Sequence, residues 1–429
     1  MSNQRRHAGC GHQEYSGRHL MHEPDRDTPE RRDWAKLPRD LAAEIAGRLL
    51  GIDLTEYIRF RAVCKPWRRS TDDPRLLNSR FFPRNWVMLS NYGEDDTRRR
   101  LLNVATGASI VDDFPELSGH HPLGYAEGLL VLLNTATSGI RLFNPLTRAV
   151  TDLPGFSSWS PASFSALMAA TGATVLSYGG FGVIDDGGTA ASPTTVVLFL
   201  SAQLKVPLLA FIRPGESHWA LADTSELTCR AYQVSVLSLH GRFYLSTSTG
   251  DVLTVELHPE PRLVHVVRKT ATPTTTTVPA ICSFYLAPSG NDDGAGMLMI
   301  MVHASGEDED HGEQVEVFEV DVDGRRLIPK STVGADRALF VGSVRALSIS
   351  TKLFPSIAAS ANAVYFCHGQ GSRRNLFHVF HIDNGHAEPA VELEFFEQMQ
   401  GREGPFFGPF NLDVYLACCV DVAFGAFGI

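Results

Sequence analysis

Short apolar runs separated by polar turns recur from Phe81 to near the end of the chain, and this pattern restricts the fold more than any other feature. Residues 129–133 form one such run, followed by the polar segment 134–139 and a second run at 140–144. Short runs with Gly, Asn and Asp between them are typical of antiparallel strands joined by turns. The 37 glycines and 24 prolines favour short strands over long helices. The sequence therefore predicts a mainly β region.

The strand pattern also has an approximate period. Gly128, Gly241 and Asn362 each precede an apolar strand and a hairpin, and they are separated by 113 and 121 residues. Each interval is close to three units of about 40 residues, the length of one four-stranded propeller blade. A region of roughly 340 residues then predicts a β-propeller of six to eight blades.

The segment before the strands, residues 34–73, has a helical spacing instead. Leu41, Ile45 and Leu49 lie four residues apart and predict one apolar face of a helix. Pro38 stands near the first turn of this helix, where its missing N–H breaks no helical hydrogen bond. Gly51 predicts the end of the helix.

Two shorter helices are predicted after the first. Asp53 is suited to cap a helix that reaches residue 62. Pro66 can open a third helix with Trp67 on its inner face. Three helices of this size cannot bury all their apolar side chains among themselves. We therefore expect an exposed apolar stripe that contacts a partner or the following domain.

The first 33 residues are polar and charged, which predicts a disordered tail. They lack the apolar core of a secretion signal. No apolar run in the chain reaches the length of about 20 residues that a membrane-spanning helix needs. The seven cysteines, an odd number without a C-x-x-C pair, favour free thiols in a reducing compartment. These features predict a cytoplasmic and/or nuclear protein without a membrane partner.

Charge and motifs exclude several functions. The formal net charge is -10, and a phosphate backbone attracts basic surfaces, so we expect no nucleic-acid partner. Neither a G-x-S-x-G turn nor an H-E-x-x-H helix occurs in the sequence. We therefore assign no catalytic, metal-binding or cofactor-binding residue, and no cofactor.

Residues 34–68 resemble an F-box. The segment begins with Trp-Ala-Lys-Leu-Pro-Arg-Asp-Leu at 34–41 and ends with Val-Cys-Lys-Pro-Trp-Arg at 63–68. These match the Leu-Pro start, the acidic residue followed by Leu, the Ile/Leu helix and the Val-Cys-Lys/Arg-x-Trp-Arg end of that family. The joint match extends over about 40 residues.

The following region is similar to the plant F-box-associated propeller family that is also called KIB-type (domain of unknown function 295). The resemblance extends from Trp34 to about Leu412. It depends on Gly-Leu-Leu at 128–130, Phe-Asn-Pro-Leu-Thr-Arg at 143–148, Gly-Arg-Phe-Tyr at 241–244, Phe-Glu-Val-Asp at 318–321, Arg-Ala-Leu-Phe-Val-Gly at 337–342 and Ala-Val-Tyr-Phe at 363–366.

The resemblance implies a four-part organisation: a tail at 1–33, a three-helix F-box at 34–80, a KIB-type propeller at 81–412 and an atypical segment at 413–429. The last segment is apolar and departs from the family pattern, so it could be either a ring-closing strand or a tail. The family implies a non-catalytic substrate receptor of a Skp–cullin–F-box (SCF) ubiquitin ligase. Its F-box would bind a Skp-type adaptor, and through it a cullin–RING ligase, while the propeller would bind an unknown protein substrate.

Nine residues are predicted to form the adaptor-binding unit, although the same apolar side chains could instead form only a helical core. Two other functions remain open. One is a non-catalytic propeller scaffold outside a ligase, and the other is a propeller enzyme with polar residues that converge in the channel. The nine residues are Leu37, Pro38, Leu41, Ile45, Leu49, Ile58, Val63, Cys64 and Trp67.

Overall fold

The structure is a computed structural model and describes most of the chain between residue 33 and residue 388. The predicted tail, apart from residue 33, lies outside the described residues. The described ranges are 33–89, 97–134, 136–155, 158–171, 175–185, 194–202, 206–227, 234–269, 282–290, 296–303, 314–342, 345–354, 361–368, 376–388, 391–392, 416 and 427–428.

Helices occupy the N-terminal part of the described chain, as the spacing of apolar residues predicts. A short 3-10 helix, Trp34–Lys36, precedes α1 (Arg39–Ile52), α2 (Leu54–Val63) and α3 (Lys65–Arg69). Another 3-10 turn, Ser79–Phe81, leads into the strands. We call residues 34–69 the helical unit.

The strands that follow form six sheets within the described residues. The second and third sheets are separated by α4 (Pro161–Thr171). The first sheet contains β1 (Trp86–Leu89), β2 (Arg98–Asn103) and β3 (Ser109–Asp113). The second contains β4 (His120–Ala126), β5 (Leu129–Asn134), β6 (Ile140–Asn144) and β7 (Ala149–Leu153). The third contains β8 (Val175–Ile184), β9 (Thr195–Ala202), β10 (Val206–Ile212) and β11 (Ala220–Leu221).

The fourth and fifth sheets repeat the antiparallel order, whereas the sixth has a parallel pair of strands, β20 and β22. The fourth sheet contains β12 (Ser235–Leu239), β13 (Arg242–Ser246), β14 (Val252–Glu256) and β15 (Arg262–Val267). The fifth contains β16 (Cys282–Pro288), β17 (Met297–His303), β18 (Gln314–Asp321) and β19 (Arg326–Lys330). The sixth contains β20 (Arg337–Val341), β21 (Ala346–Ser350), β22 (Ala363–His368), β23 (Leu376–His381), β24 (His386–Ala387) and β25 (Val391–Glu392).

The six sheets are the blades of a β-propeller, so the predicted fold class is confirmed, with six blades. A separate apolar cluster fills each space between neighbouring sheets, and the last cluster joins the sixth sheet to the first. Val131 packs toward the third sheet, whereas Leu130 and Leu132 pack toward the first. A strand that is covered on both faces needs apolar residues at successive positions. This explains why strands such as β5 are continuous apolar runs and do not alternate between apolar and polar residues.

The predicted repeat length is wrong. Gly128, Gly241 and Asn362 each precede the strand after a turn, with φ values of 89°, 73° and 56°. They belong to the second, fourth and sixth sheets, so each interval holds two blades and not three. Long connections between blades, such as the one that contains α4, lengthen the repeat without adding strands.

Two parts of the C-terminal segment 413–429 are described. Leu416 is fully buried in the cluster between the sixth and first sheets. The short strand β26 (Phe427–Gly428) pairs with β8 of the third sheet. The rest of the segment, including Cys418 and Cys419, lies outside the described residues.

None of the helices in the described part of the chain combines enough length with enough apolar character to cross a membrane.

Candidate docking surface on the helical unit

Aspartate 53 determines where the first helix ends and the second begins. Its Oδ1 atom accepts a hydrogen bond from the backbone N–H of Thr55 at 2.8 Å, as an N-cap does. The α1 helix continues through Gly51 to Ile52, so the prediction that Gly51 ends the helix is wrong. A glycine within the last turn is tolerated, and the chain changes direction only at Asp53, which has extended backbone angles.

One face of α1 packs into the helical unit through small side chains. Ala42 and Ala46 are buried against Leu54, Tyr57 and Phe60 of α2. Small residues at this contact allow the two helices to approach closely.

Trp67 holds α3 against the other helices. Its ring stacks on Phe60, with a centroid distance of 4.4 Å, and its indole N–H donates to the backbone carbonyl of Trp34 at 3.0 Å. Trp67 therefore lies on the inner face of the third helix, as the sequence predicts.

The opposite face of α1 exposes large apolar side chains. Leu41, Ile45 and Ile52 are 47%, 39% and 66% exposed. Their spacing of four and seven residues places them along one line of the helix. We call these three residues the apolar ridge. Trp34 and Val63 of the same unit are also largely exposed. Apolar surface concentrated on one element of a folded protein is typical of a contact with another protein.

The nine predicted adaptor-binding residues therefore occupy two environments. Pro38, Leu41, Ile45 and Val63 are exposed, whereas the other five are half-buried. Leu41 and Ile45 point away from the cluster that Leu49 joins, so the three residues do not share one packed face. The half-buried residues are Leu37, Leu49, Ile58, Cys64 and Trp67.

Sequence reasoning missed two exposed apolar residues of the unit, Trp34 and Ile52. The signal for Ile52 is its position seven residues after Ile45, which continues the same line. Trp34 belongs to the segment that resembles an F-box, but no periodic pattern of apolar residues includes it.

The helical unit is fixed to the propeller through Asp53. Its second oxygen, Oδ2, accepts hydrogen bonds from the indole N–H of Trp86 at 2.9 Å and from the amide of Asn103 at 3.0 Å. Trp86 and Asn103 belong to β1 and β2, and both are buried. One carboxylate thus caps a helix and joins that helix to the first sheet.

A second link surrounds Phe81, where the helical region meets the strands. Phe81 is buried in the cluster of the helical unit, and its ring lies 5.4 Å from that of Tyr57. The side-chain amide of Asn144, at the end of β6, donates to the Phe81 carbonyl at 2.9 Å. Both the first and the second sheet therefore orient the helical unit.

Glu127 joins three parts of the chain at the same end of the propeller. It lies in the turn between β4 and β5, and its side chain is buried. One oxygen contacts Nε of Arg84 at 2.6 Å, and the other accepts from the backbone N–H of Gly241 at 2.6 Å and from Ser238 at 3.3 Å. The next residue, Gly128, has no room for a side chain, because a Cβ atom would lie 2.0 Å from the carbonyl oxygen of Pro83.

The corner between α1 and α2 lies at the central channel of the propeller. A cavity of about 900 Å³ is bounded by this corner, from Gly47 to Leu54, and by residues of the inner strands β4, β8, β12 and β21. We call it the channel cavity. The helical unit therefore lies next to the central channel of the propeller.

Trp159, which lies shortly before α4, and Trp219, which lies directly before β11, are both buried. They lie in the cluster between the second and third sheets, and Trp219 donates its indole N–H to the carbonyl of Pro154 at 3.0 Å. Their surroundings fit a role in packing between blades.

The described chain thus combines a small helical unit that has an exposed apolar ridge with a six-bladed propeller. The chain belongs to the KIB1-4 beta-propeller family, whose model matches residues 101–386. The predicted resemblance to this family is confirmed. An F-box protein of Arabidopsis thaliana is 28% identical over 118 residues, which are 28% of this chain and 30% of that protein. The matched part thus spans about a third of that relative's length.

Two solved structures share a distant likeness with the chain. A protein of unknown function from Bacteroides caccae is 10% identical, with a TM-score of 0.29 over 72% of this chain and 93% of that one. The extracellular domains 1–2 of Drosophila semaphorin 1b are 13% identical, with a TM-score of 0.27 over 61% of this chain and 48% of that one. Scores this low support no argument about function.

Proposed function

We propose that this protein is the substrate-recognition subunit of an SCF-type E3 ubiquitin ligase. The F-box at 34–80 binds a Skp-type adaptor, and the propeller at 81–412 binds the protein to be ubiquitinated. The subunit performs no chemistry and acts in the cytoplasm and/or the nucleus. The observation that carries the proposal is the apolar ridge of Leu41, Ile45 and Ile52, which the rest of the described chain leaves uncovered.

The ridge favours adaptor binding over a scaffold that covers the helical unit with its own propeller. The buried cluster of the unit uses Ala42, Ala46 and α2, so the ridge is not needed to fold the unit. Burying one exposed aliphatic side chain contributes about 1.5–3 kcal/mol. A few such side chains normally dominate the affinity of a protein–protein interface.

The rigid joint at Asp53 fits the work of such a receptor. A receptor raises the reaction rate by holding a substrate lysine near the ubiquitin-carrying enzyme, which raises the effective concentration of the reacting groups. This gain depends on a fixed orientation between the adaptor-binding part and the substrate-binding part. Hydrogen bonds from Trp86 and Asn103 to Asp53 provide that fixed orientation.

A double variant tests the adaptor contact. We expect Leu41→Asp with Ile45→Asp to weaken binding to a co-expressed Skp-type adaptor by about 100-fold or more, since two apolar anchors become charged and resist burial. Size-exclusion chromatography of the co-expressed pair, followed by titration of the purified proteins, measures the effect.

The matched control is Phe164→Asp, which places a charge on an equally exposed apolar residue, 46% exposed, on α4 of the propeller. The control is expected to bind the adaptor with unchanged affinity. If the double variant elutes with the adaptor as the unmodified protein does, the ridge is not the docking surface. If the unmodified protein never binds the adaptor, the ligase proposal is wrong.

A further inference from the structure

A cysteine and a histidine face each other at one end of the fifth sheet. Cys282 begins β16 and His303 ends β17, and the two residues lie directly opposite each other in this antiparallel pair. The sulfur of Cys282 lies 3.3 Å from Nδ1 of His303. Both residues are half-buried, so neither is sealed in the core.

His303 is placed to accept the proton of this thiol. In the tautomer that carries its proton on Nε2, the other ring nitrogen, Nδ1, accepts a hydrogen bond from the thiol. Nε2 is buried without a hydrogen-bond partner in the described part of the chain, and it lies 3.9 Å from Oε1 of Glu316 on β18. When Nδ1 takes up the thiol proton, the imidazolium gains the attraction of this carboxylate. A thiol beside a base that a third group supports is the arrangement of an activated nucleophile.

Lys269 brings a positive charge to the same place. It follows β15 of the fourth sheet, and its amine lies over the rings of Phe284 and Phe318 of the fifth sheet, 5.0 and 5.9 Å from their centroids. The amine also lies 3.0 Å from the sulfur of Met301. Contacts with two aromatic rings orient the ammonium group at this end of the sheet. A nearby cation stabilises a thiolate and attracts anionic reactants.

The thiol of Cys282 is protonated at rest. Burial raises the pKa of this thiol, the charge of Lys269 lowers it and the charge of Glu316 raises it, so that the pKa lies above its ordinary value. A thiolate of high pKa is a strong nucleophile once the proton has left. Reaction at Cys282 therefore depends on removal of the proton during the attack, and His303 is the adjacent base that can remove it.

We propose that Cys282 is a site of reversible modification by small anionic disulfides, with His303 as the base. The sulfur of Cys282 attacks one sulfur of the disulfide while Nδ1 of His303 takes up the thiol proton. The new S–S bond forms as the old one breaks, and the departing thiolate receives the proton from His303. The protein thiol is oxidised to a mixed disulfide, and the small disulfide is reduced to one thiol and the group that stays attached.

The charge of Lys269 favours a disulfide that carries carboxylates, such as glutathione disulfide. The modification is reversed when excess thiol attacks the mixed disulfide. This site lies on the fifth sheet and shares no residue with the apolar ridge, so the inference does not depend on adaptor binding.

The test uses the full-length protein, reduced and then separated from the reductant. Excess glutathione disulfide is added, and peptide mass spectrometry follows the mixed disulfide at each cysteine over time. Cys282 is expected to become modified. Cys64 is the internal reference, since the helical unit around it contains no histidine. The rate at Cys64 and the unfolding midpoint should be the same in the unmodified protein and in every variant.

The variants test the two neighbours of Cys282 separately. His303→Asn keeps a hydrogen-bond acceptor but cannot take up a proton, so modification of Cys282 should slow about tenfold or more. The matched control is His265→Asn, because His265 is also half-buried but contacts a carboxylate, that of Glu226, at 3.2 Å. This control should react at the unchanged rate.

Lys269→Gln should slow the reaction of Cys282 with glutathione disulfide several-fold, and Lys269→Arg should retain most of the rate because the charge remains. With the uncharged hydroxyethyl disulfide, Lys269→Gln should have little effect. This comparison distinguishes attraction by the charge from a role of the lysine in packing.

Three results would overturn the inference. The first is that Cys64 forms a mixed disulfide while Cys282 does not. The second is that Cys282 reacts in His303→Asn as fast as in the unmodified protein, or faster, which would show that the histidine is not the base. The third is that Lys269→Gln slows the charged and the uncharged disulfide equally, which would remove the preference for anions. Adaptor binding is measured separately, so a failure here leaves the proposed ligase function untouched.

Discussion

Replacing Glu127 with alanine is expected to lower the free energy of unfolding by about 2–3 kcal/mol. The buried carboxylate, 1% exposed, loses its charge-assisted hydrogen bonds, whereas the side chain of Arg84 is 31% exposed and can be solvated after the change. The substitution also leaves the backbone N–H of Gly241 without its acceptor. Urea denaturation followed by tryptophan fluorescence measures the change.

Asp152→Ala is the matched control for Glu127→Ala. Asp152 also pairs with an arginine, Arg141, at 2.7 Å, but its carboxylate is exposed. Exposed pairs contribute about 0–1 kcal/mol, so the control should change the stability by no more than that. Equal losses in the two variants would show that the buried position of Glu127 has no special importance.

Replacing Asp53 with alanine is expected to cost about 3 kcal/mol. The loss of the helix cap accounts for about 1 kcal/mol. The remainder comes from the buried donors of Trp86 and Asn103, which lose their acceptor. Because the lost contacts lie at the joint, hydrogen–deuterium exchange should accelerate most within the helical unit. Exchange in the fourth and fifth sheets should stay unchanged.

Asp53→Asn separates the two roles of this residue. Its amide oxygen can still accept from Thr55, but its amide N–H₂ would face the donors of Trp86 and Asn103. The hydrogen bond that caps α2 should be kept, whereas the hydrogen bonds to Trp86 and Asn103 should be lost. Hydrogen–deuterium exchange near the start of α2 should therefore increase less than in Asp53→Ala. Asp40→Ala, an exposed substitution in the first turn of α1, should leave the joint intact. If neither Asp53 variant changes exchange in the helical unit, Asp53 does not hold the joint.

Local sequence features predicted the helical unit well. The four-residue spacing of apolar side chains indicated α1, and Asp53 was identified as the cap of α2. The second role of Asp53, which is to join the helical unit to the first sheet, could not be predicted. Trp86 and Asn103 are 33 and 50 residues away along the chain, and no local pattern relates a helix cap to donors on two strands.

The direction of the apolar side chains on α1 also depended on the tertiary structure. A spacing of four residues shows that Leu41 and Ile45 lie on one side of the helix, but not whether that side is covered. In the structure, Ala42 and Ala46 pack against α2 instead. The smaller side chains allow a closer contact between the helices, and this closer packing directs the larger ones outward.

The number of blades shows the limit of the repeat argument. Gly128, Gly241 and Asn362 all have the positive φ of a turn. Gly128 and Gly241 lie between the first two strands of their sheets, whereas Asn362 precedes β22, the third strand in the order of the sixth sheet. A typical blade length of about 40 residues predicts three blades in each interval. The actual blades are longer, since their connections carry residues outside the sheets.

Residue spacing along the chain was enough to predict the fold class, the order of helices and strands, and the resemblance to an F-box followed by a propeller. These properties depend on patterns within a few turns or strands. The folded structure was needed to show which apolar residues are uncovered, where Glu127 is buried and which arginines line the channel cavity. Each of these depends on contacts between residues that are distant in sequence, and such contacts exist only after the ring of sheets has closed.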